Sequence, residues 1–318
     1  MDLLQLRYFI AIAEHQHITK AARELRVSQP SLSNTLSRIE GELGLQLFDR
    51  QGRNIVLNDN GKVVLEHAKN IFRELSNIQT ELDNLNHIEN NVISIGSVDS
   101  TYVKNWLPFF IYDHPEIIIH HTIASCDQLE AKLSNGEIDF AITDSPTIPE
   151  GCDSYLFGKD EYIILGPLDG TIDNSVRQDF SAFANEMFIC SPKIEGILRP
   201  IDVLSQQTGF EPTIIFEGEQ ALLSRIFYLG YGHIIACKSN ISLPAHWSIC
   251  EQNSKVYFLS NARASFDIHL IWDSKRILSE SAKVFMDYAQ HSISQFRPLE
   301  SERYAKLSTQ PFIDMEFL

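Results

Sequence analysis

Starting at Val64, the chain places apolar residues at Ala68, Ile71, Leu75, Ile78, Leu82 and Leu85, in steps of 4, 3, 4, 3, 4 and 3. This is an unbroken a/d seam of about three heptads, and so narrow a stripe needs a facing helix to cover it. The preceding Asn58-Asp59-Asn60-Gly61 supplies the start of a long helix. The segment reads as a dimerisation helix; the alternative is a helix packed on the C-terminal part of its own chain. A two-fold dimer would present every surface twice, related by symmetry.

The residues before the seam form short helices. Leu6, Phe9, Ile10 and Ala13 recur at helical spacing, followed by Ile18, Ala21, Ala22 and Leu25. The link Arg26-Val27-Ser28 has room only for a tight turn, and Ser28 is a good N-cap with Pro30 tolerated in the first turn of a third helix. Two helices so joined make a helix-turn-helix. In the third helix Leu32, Leu36, Ile39 and Leu43 form one apolar stripe that should face a core. Ser28, Gln29, Pro30, Ser31, Ser33, Asn34, Ser37 and Arg38 are left for the other face, mostly hydrogen-bonding groups on short stems. Such a face suits a helix pressed into the major groove of DNA, the alternative being a plain solvated surface. Farther on, Gly52 between Arg50 and Arg53 suggests a hairpin wing whose arginines follow the backbone or probe a minor groove.

A net charge of −16, from 26 Lys+Arg against 42 Asp+Glu, argues against a nucleic-acid partner for the chain as a whole. Residues 1–62, however, hold eight basic groups against seven acidic ones, so the acidity belongs to the remainder and the two parts have different partners. No apolar run is long enough for a membrane helix, and MDLLQLRYFI lacks a signal peptide's basic start, so a cytoplasmic location is expected. The five cysteines, Cys126, Cys152, Cys190, Cys237 and Cys250, are widely spaced with no CxxC.

Beyond 87–91 the pattern changes to alternating strand and helix. Strands are expected at 92–98, 117–124 and 138–143, with helices at 102–112 and 126–133 between them. A second set has strands near 162–165, 188–190, 214–216 and 234–237 and helices at 200–207 and 220–229; a strand at 268–272 and a helix at 279–291 return to the first set. The alternation implies a parallel sheet covered on both faces. Two α/β lobes with crossing strands leave a cleft for a small ligand. The fold class is thus α/β with an all-α winged helix-turn-helix. Its divisions are a DNA-binding domain at 1–62, a linker helix at 63–90, a two-lobed small-ligand-binding domain at 91–295 and a tail at 296–318. Lobe I takes 91–161 plus 266–295 and lobe II 162–265. No HExxH, EF-hand or Walker pattern occurs, and His120 and His121 on a strand point to opposite faces, so neither a metal nor another cofactor is expected.

Leu6-Arg7-Tyr8-Phe9, Ala21-Ala22-Arg23-Glu24-Leu25, Val27-Ser28-Gln29-Pro30-Ser31-Leu32-Ser33 and Leu43-Gly44-Leu45-Gln46-Leu47-Phe48-Asp49-Arg50 stand in a characteristic order. In these the chain resembles LysR-type transcriptional regulators. Ile95-Gly96, Leu107-Pro108, Gly136-Glu137-Ile138-Asp139 and Gly230-Tyr231-Gly232-His233-Ile234 extend the resemblance to about residue 292. Asn34 and Ser37 stand where many members carry a long basic residue, and Asn58 where a threonine is usual.

The resemblance implies a DNA-binding homodimer or homotetramer that performs no chemistry. Its periplasmic-binding-protein-like effector domain would take a small molecule in the cleft and alter how promoter DNA is bent. It also implies that Asp99, Ser100, Thr101 and Ser125 lie where effector oxygens are held, with Ser191, Glu217 and Glu219 facing the same gap; for each, a capping or turn role is the alternative. His233 would contact ligand or sense pH, or else be a buried, hydrogen-bonded histidine. If Asp99 and Glu219 both line the cleft, a plain carboxylate would be repelled and an amine-bearing effector favoured. Two rival functions are a redox-switched regulator using Cys237 and Cys250, and an enzyme or solute-binding protein with an appended DNA-binding module.

Overall fold

A computed structural model describes residues 1–51, 54–86, 91–104, 106–194, 196–240, 254–261 and 264–291. The chain divides into two compact units, one of residues 1–86 with 131–137, the other of the remaining described residues.

In the first unit, helices α1 (Leu3–His15), α2 (Ile18–Glu24) and α3 (Gln29–Leu43) pack around Phe9, Ile12, Ala21, Ala22, Leu32, Leu36 and Ile39. Asp2 opens α1 with a reciprocal capping box to Gln5, and Gly44, at φ 68, closes α3 in the left-handed conformation that glycine adopts without strain. Leu32 and Ile39 are fully buried, each contributing about 1.5–3 kcal/mol by leaving water. The stripe ends early, because Leu43 is 40% exposed rather than in the core.

Strands β1 (Phe48–Gln51) and β2 (Asn54–Leu57) pair antiparallel, Gln51 opposite Asn54, and form the wing. Helix α4 (Asp59–Leu85) follows, its N-cap Asn58 accepting from the Gly61 amide at 3.0 Å. A Cβ at Gly61 would lie 2.2 Å from the Leu47 carbonyl oxygen, so only glycine lets α4 start this close to the wing.

The second unit contains strands β3 (Val92–Ser97), β4 (Ile118–Ile123), β5 (Phe140–Thr143), β6 (Cys152–Gly166), β7 (Met187–Cys190), β8 (Thr213–Glu217), β9 (Ile234–Cys237), β10 (Lys255–Phe258) and β11 (Ser265–Asp273). Its helices are α5 (Leu107–Asp113), α6 (Cys126–Ser134), α7 (Pro200–Thr208), α8 (Gln220–Tyr228) and α9 (Glu280–His291). The sheet is mixed, not parallel throughout. β3 pairs parallel with β4 and β5, and β7 with β8, whereas β11 runs antiparallel to β5 and β6, and β6 antiparallel to β9 and β10.

The main departure from the sequence pattern is β6, of which the pattern marks only 162–165. Its first part pairs with β11 as far as Glu161; from Tyr162 it pairs with β9 and from Ile163 also with β10. One strand therefore runs through both lobes, alternation being obscured where it changes from a one-sided to a buried environment. The expected helix at 102–112 is also broken. Ser100–Tyr102 is a 3-10 turn capped by Asp99, and α5 begins only at Leu107 with Pro108 in its first turn. Lobe I is closed by aromatic packing of Phe285 on Phe110, Phe140 and Trp106, with ring centroids 5.0–5.7 Å apart. The expected tail at 296–318 lies outside the described residues.

Candidate nucleic-acid interface and effector cleft

The turn before α3 is built by backbone groups: the Val27 amide donates to the Ala22 carbonyl at 2.9 Å, and Arg26 takes the left-handed conformation at φ 55. Ser28 then caps α3, its hydroxyl accepting from the Ser31 amide at 3.3 Å. Because Leu32, Leu36 and Ile39 turn inward, Gln29, Pro30, Ser31, Asn34, Ser37 and Arg38 are exposed together with Ser28, while Ser33 is half-buried. Arg38 is held loosely, its Nε 3.4 Å from Glu42 with the side chain 66% exposed. This face offers amide, hydroxyl and guanidinium groups in about three turns of helix. Arg50 is in β1, where its backbone pairs with Ile55; Arg53 lies outside the described residues.

The heptad seam has two fates. Ala68 is buried against Leu6 and Ile10 of α1, and Val64 packs on the core of its own unit, so these two expected dimer contacts are taken up within the chain. Ile71, Leu75, Ile78, Leu82 and Leu85 remain 40–76% exposed in one row. α1 covers the face of α4 that carries Leu65, Ala68 and Phe72, and Ile71 lies off that face, so the seam divides there.

Between the lobes lies a cleft of ≈ 770 Å³. Asp99 and Ser125 line it as expected. Asp99 also accepts from the Thr101 amide at 2.8 Å, and Ser125 exchanges hydrogen bonds with Gln128 at the start of α6, so both have the alternative turn and capping roles as well. Thr101 stands beside the cleft, its hydroxyl against the Cys237 thiol; Ser100 is exposed and does not line it. Tyr102, Asp144, Tyr162, Phe266, Asp267 and His269 do, and the sequence reading missed them. A signal existed for Asp144, since it follows the carboxyl end of β5, where open α/β sheets place ligand groups. Burial pushes the Asp144 carboxyl up, only partly opposed by a hydrogen bond from the Tyr102 hydroxyl. Burial likewise pushes the Tyr102 and Tyr162 phenols up, so both stay protonated donors.

Ser191, Glu217, Glu219 and His233 are not in the cleft lining. The first two serve Arg199, which is 5% exposed and donates to the Ser191 carbonyl at 3.0 Å, to Glu217 at 2.8 Å and to both Asp202 oxygens at 2.8 and 2.9 Å. Glu219 is the exposed N-cap residue of α8. His233 is buried between Phe183, Phe188 and Tyr257, its Nδ1 3.3 Å from the Met187 carbonyl, and burial pushes its pKa down. The expected acid pair of Asp99 and Glu219 is therefore replaced by Asp99, Asp144 and Asp267.

Burial pushes up all four described thiols, Cys152 to about 11 and Cys237 well above its ordinary value, which disfavours a reactive thiolate. Cys250 lies outside the described residues. No described helix is long and apolar enough to cross a membrane.

Residues 3–62 match the model of the bacterial regulatory helix-turn-helix protein, lysR family, and residues 89–294 that of the LysR substrate binding domain. The uncharacterized HTH-type transcriptional regulator YybE of Bacillus subtilis (strain 168) is 27% identical over 303 residues, covering 93% of this chain and 100% of the relative. The HTH-type transcriptional regulator XapR of Escherichia coli (strain K12) is 24% identical over 294 residues, 91% of this chain and 98% of the relative. Among solved structures, a full-length OxyR variant from Pseudomonas aeruginosa has a TM-score of 0.54 at 20% identity, covering 92% of this chain and 94% of that one. At that identity the likeness is one of fold.

Proposed function

The chain belongs to the LysR family of DNA-binding transcriptional regulators, and from that premise we propose that α3 reads the major groove while an effector in the interlobe cleft controls the outcome. The observation that carries this reading is the exposed polar face of α3 behind a buried apolar stripe. Gln29 and Asn34 have amides able to pair bidentately with a base edge, and Ser28, Ser31, Ser37 and Arg38 lie where phosphates pass. Arg50 and Arg53 of the wing would follow the backbone. Residues 1–62 act as the DNA-binding domain, 63–90 as the linker and 91–295 as the effector domain. Ile71, Leu75, Ile78, Leu82 and Leu85 meet the same row of a second copy, giving a homodimer, and pairs of dimers give the tetramer. The acting form is cytoplasmic.

The test is selection of genomic fragments by purified full-length protein at near-physiological salt, with and without a metabolite extract. The expected result is enrichment of interrupted palindromes with half-sites one helical turn, or a multiple, apart. Leu75→Asp, Leu82→Asp protein should be monomeric by sedimentation and retain only single half-sites weakly. Failure to enrich any sequence under either condition would overturn the reading of α3, and a full dimer in the double variant would overturn that of the seam.

A further inference from the structure

Three aspartates, Asp99, Asp144 and Asp267, line the interlobe cleft, and among the described residues no lysine or arginine does. Two of the three are compensated from outside the lining. Asp267 pairs with Lys159 at 2.9 Å, and Asp99 faces Lys104, whose charge it supports against burial. Asp144 is different. It is half-buried, its neighbours are the Tyr102 hydroxyl and the like charge of Asp99, and burial makes it hold its proton more tightly. A carboxylate drawn out of water beside a like charge is costly, and a ligand cation would remove that cost.

The rings around it agree with a cation. Phe266 lies with its centroid 4.6 Å from that of Tyr162 and 6.1 Å from that of Tyr102, and all three residues line the cleft. Aromatic rings beside a carboxylate are the recurring chemistry of ammonium recognition. Two features that would attract an anion are already engaged. At the start of α6, the Ser125 amide donates to the Gln128 side chain at 3.1 Å, and Asp127 in the first turn already meets the positive end of the helix dipole. Arg199, N-cap residue of α7, is consumed by Asp202 and Glu217.

We infer that the effector is an organic cation, its protonated amine or quaternary ammonium group seated on the Asp144 carboxylate and against the Tyr102, Tyr162 and Phe266 rings. The inference rests on the reading of the cleft as the effector site.

The experiment is calorimetric titration of the full-length protein with aliphatic and aromatic primary amines, their trimethylammonium counterparts and the carboxylates of the same carbon skeletons. Cations should bind and the matched carboxylates should not. Asp144→Asn should weaken the bound cation about tenfold or more, through loss of a charge-assisted contact. Phe266→Leu, on a half-buried strand residue, should weaken it several-fold, with the trimethylammonium series affected most. Unliganded thermal midpoints establish that each variant is folded. Binding of carboxylates but not of cations would overturn the charge assignment and leave the cleft standing as the effector site. Cations binding both variants as tightly as the wild type would overturn the placement on Asp144 and the rings. Binding by no probe of either sign would remove the cleft reading, and the inference with it.

Discussion

Helices α3 and α7 open alike, each with a proline in its first turn, but their flanking polar residues have opposite fates. Around α3 the side chains of Gln29, Asn34 and Ser37 stand exposed on a helix whose apolar stripe alone fixes its position. At α7 the N-cap residue Arg199 is 5% exposed, with its guanidinium divided among Asp202, Glu217, Cys190 and the Ser191 carbonyl. The first arrangement leaves hydrogen-bonding capacity for an outside partner, while the second spends it inside the lobe. A polar helix start is evidence of a binding site only where its groups are uncommitted, which is why Ser191 and Glu217, next to a spent arginine, hold lobe II together instead of lining the cleft.

The sharpest way to break this contrast is Arg199→Ala. Removing a buried charge from its partners should cost about 3 kcal/mol in urea unfolding, with DNA affinity of the folded fraction unchanged. The pH dependence follows from Asp202, whose carboxyl is held below its ordinary value of 3.8 by the hydrogen bonds from Arg199, against burial. A depressed folded pKa gives stability that is fully present above 3.8 and is lost as pH falls through the lower folded value. The deficit of the variant should therefore be constant near neutrality and shrink below pH 3.8. A variant as stable as the wild type, but unable to respond to effector, would instead place Arg199 among the ligand contacts.

Gln29→Ala tests the other side. It should cost about 1–3 kcal/mol of DNA affinity at one base pair of the operator and leave unfolding unchanged, read by competition against operators substituted at each position. Loss spread evenly over all operators would make Gln29 a backbone contact.

These two regions differ in how far the sequence discloses them. The N-cap Ser28, the stripe Leu32, Leu36, Ile39 and the wing are each specified by residues close together in the chain, so helical period and turn chemistry suffice. Which face of α4 meets α1 decides that Ala68 is buried and Ile71 is not, and the heptad pattern does not carry that. The cleft needs still more. Asp144 follows β5, Tyr162 lies where β6 changes partners and Phe266 comes from β11, more than a hundred residues away from Asp144. Their convergence depends on the antiparallel pairing of β11 with β6, and an alternating strand-helix pattern points instead to parallel neighbours. His233 shows the same limit, since its neighbours Gly232 and Ile234 give no sign that Phe183, Phe188 and Tyr257 close around it.

Arg38 gives the smallest and finest test, because it stands between the two cases, exposed yet touching Glu42 at 3.4 Å. An exposed pair at this separation contributes about 0–1 kcal/mol to stability, so Arg38→Ala should leave the unfolding midpoint nearly unchanged. Its charge matters more to DNA. If Arg38 meets a phosphate, the variant should weaken binding to every sequence equally and reduce the slope of log affinity against log salt by about 0.9. A slope that stays fixed would mean that Glu42 keeps the guanidinium. Arg38 would then be, like Arg199, a cation already spent within its own chain.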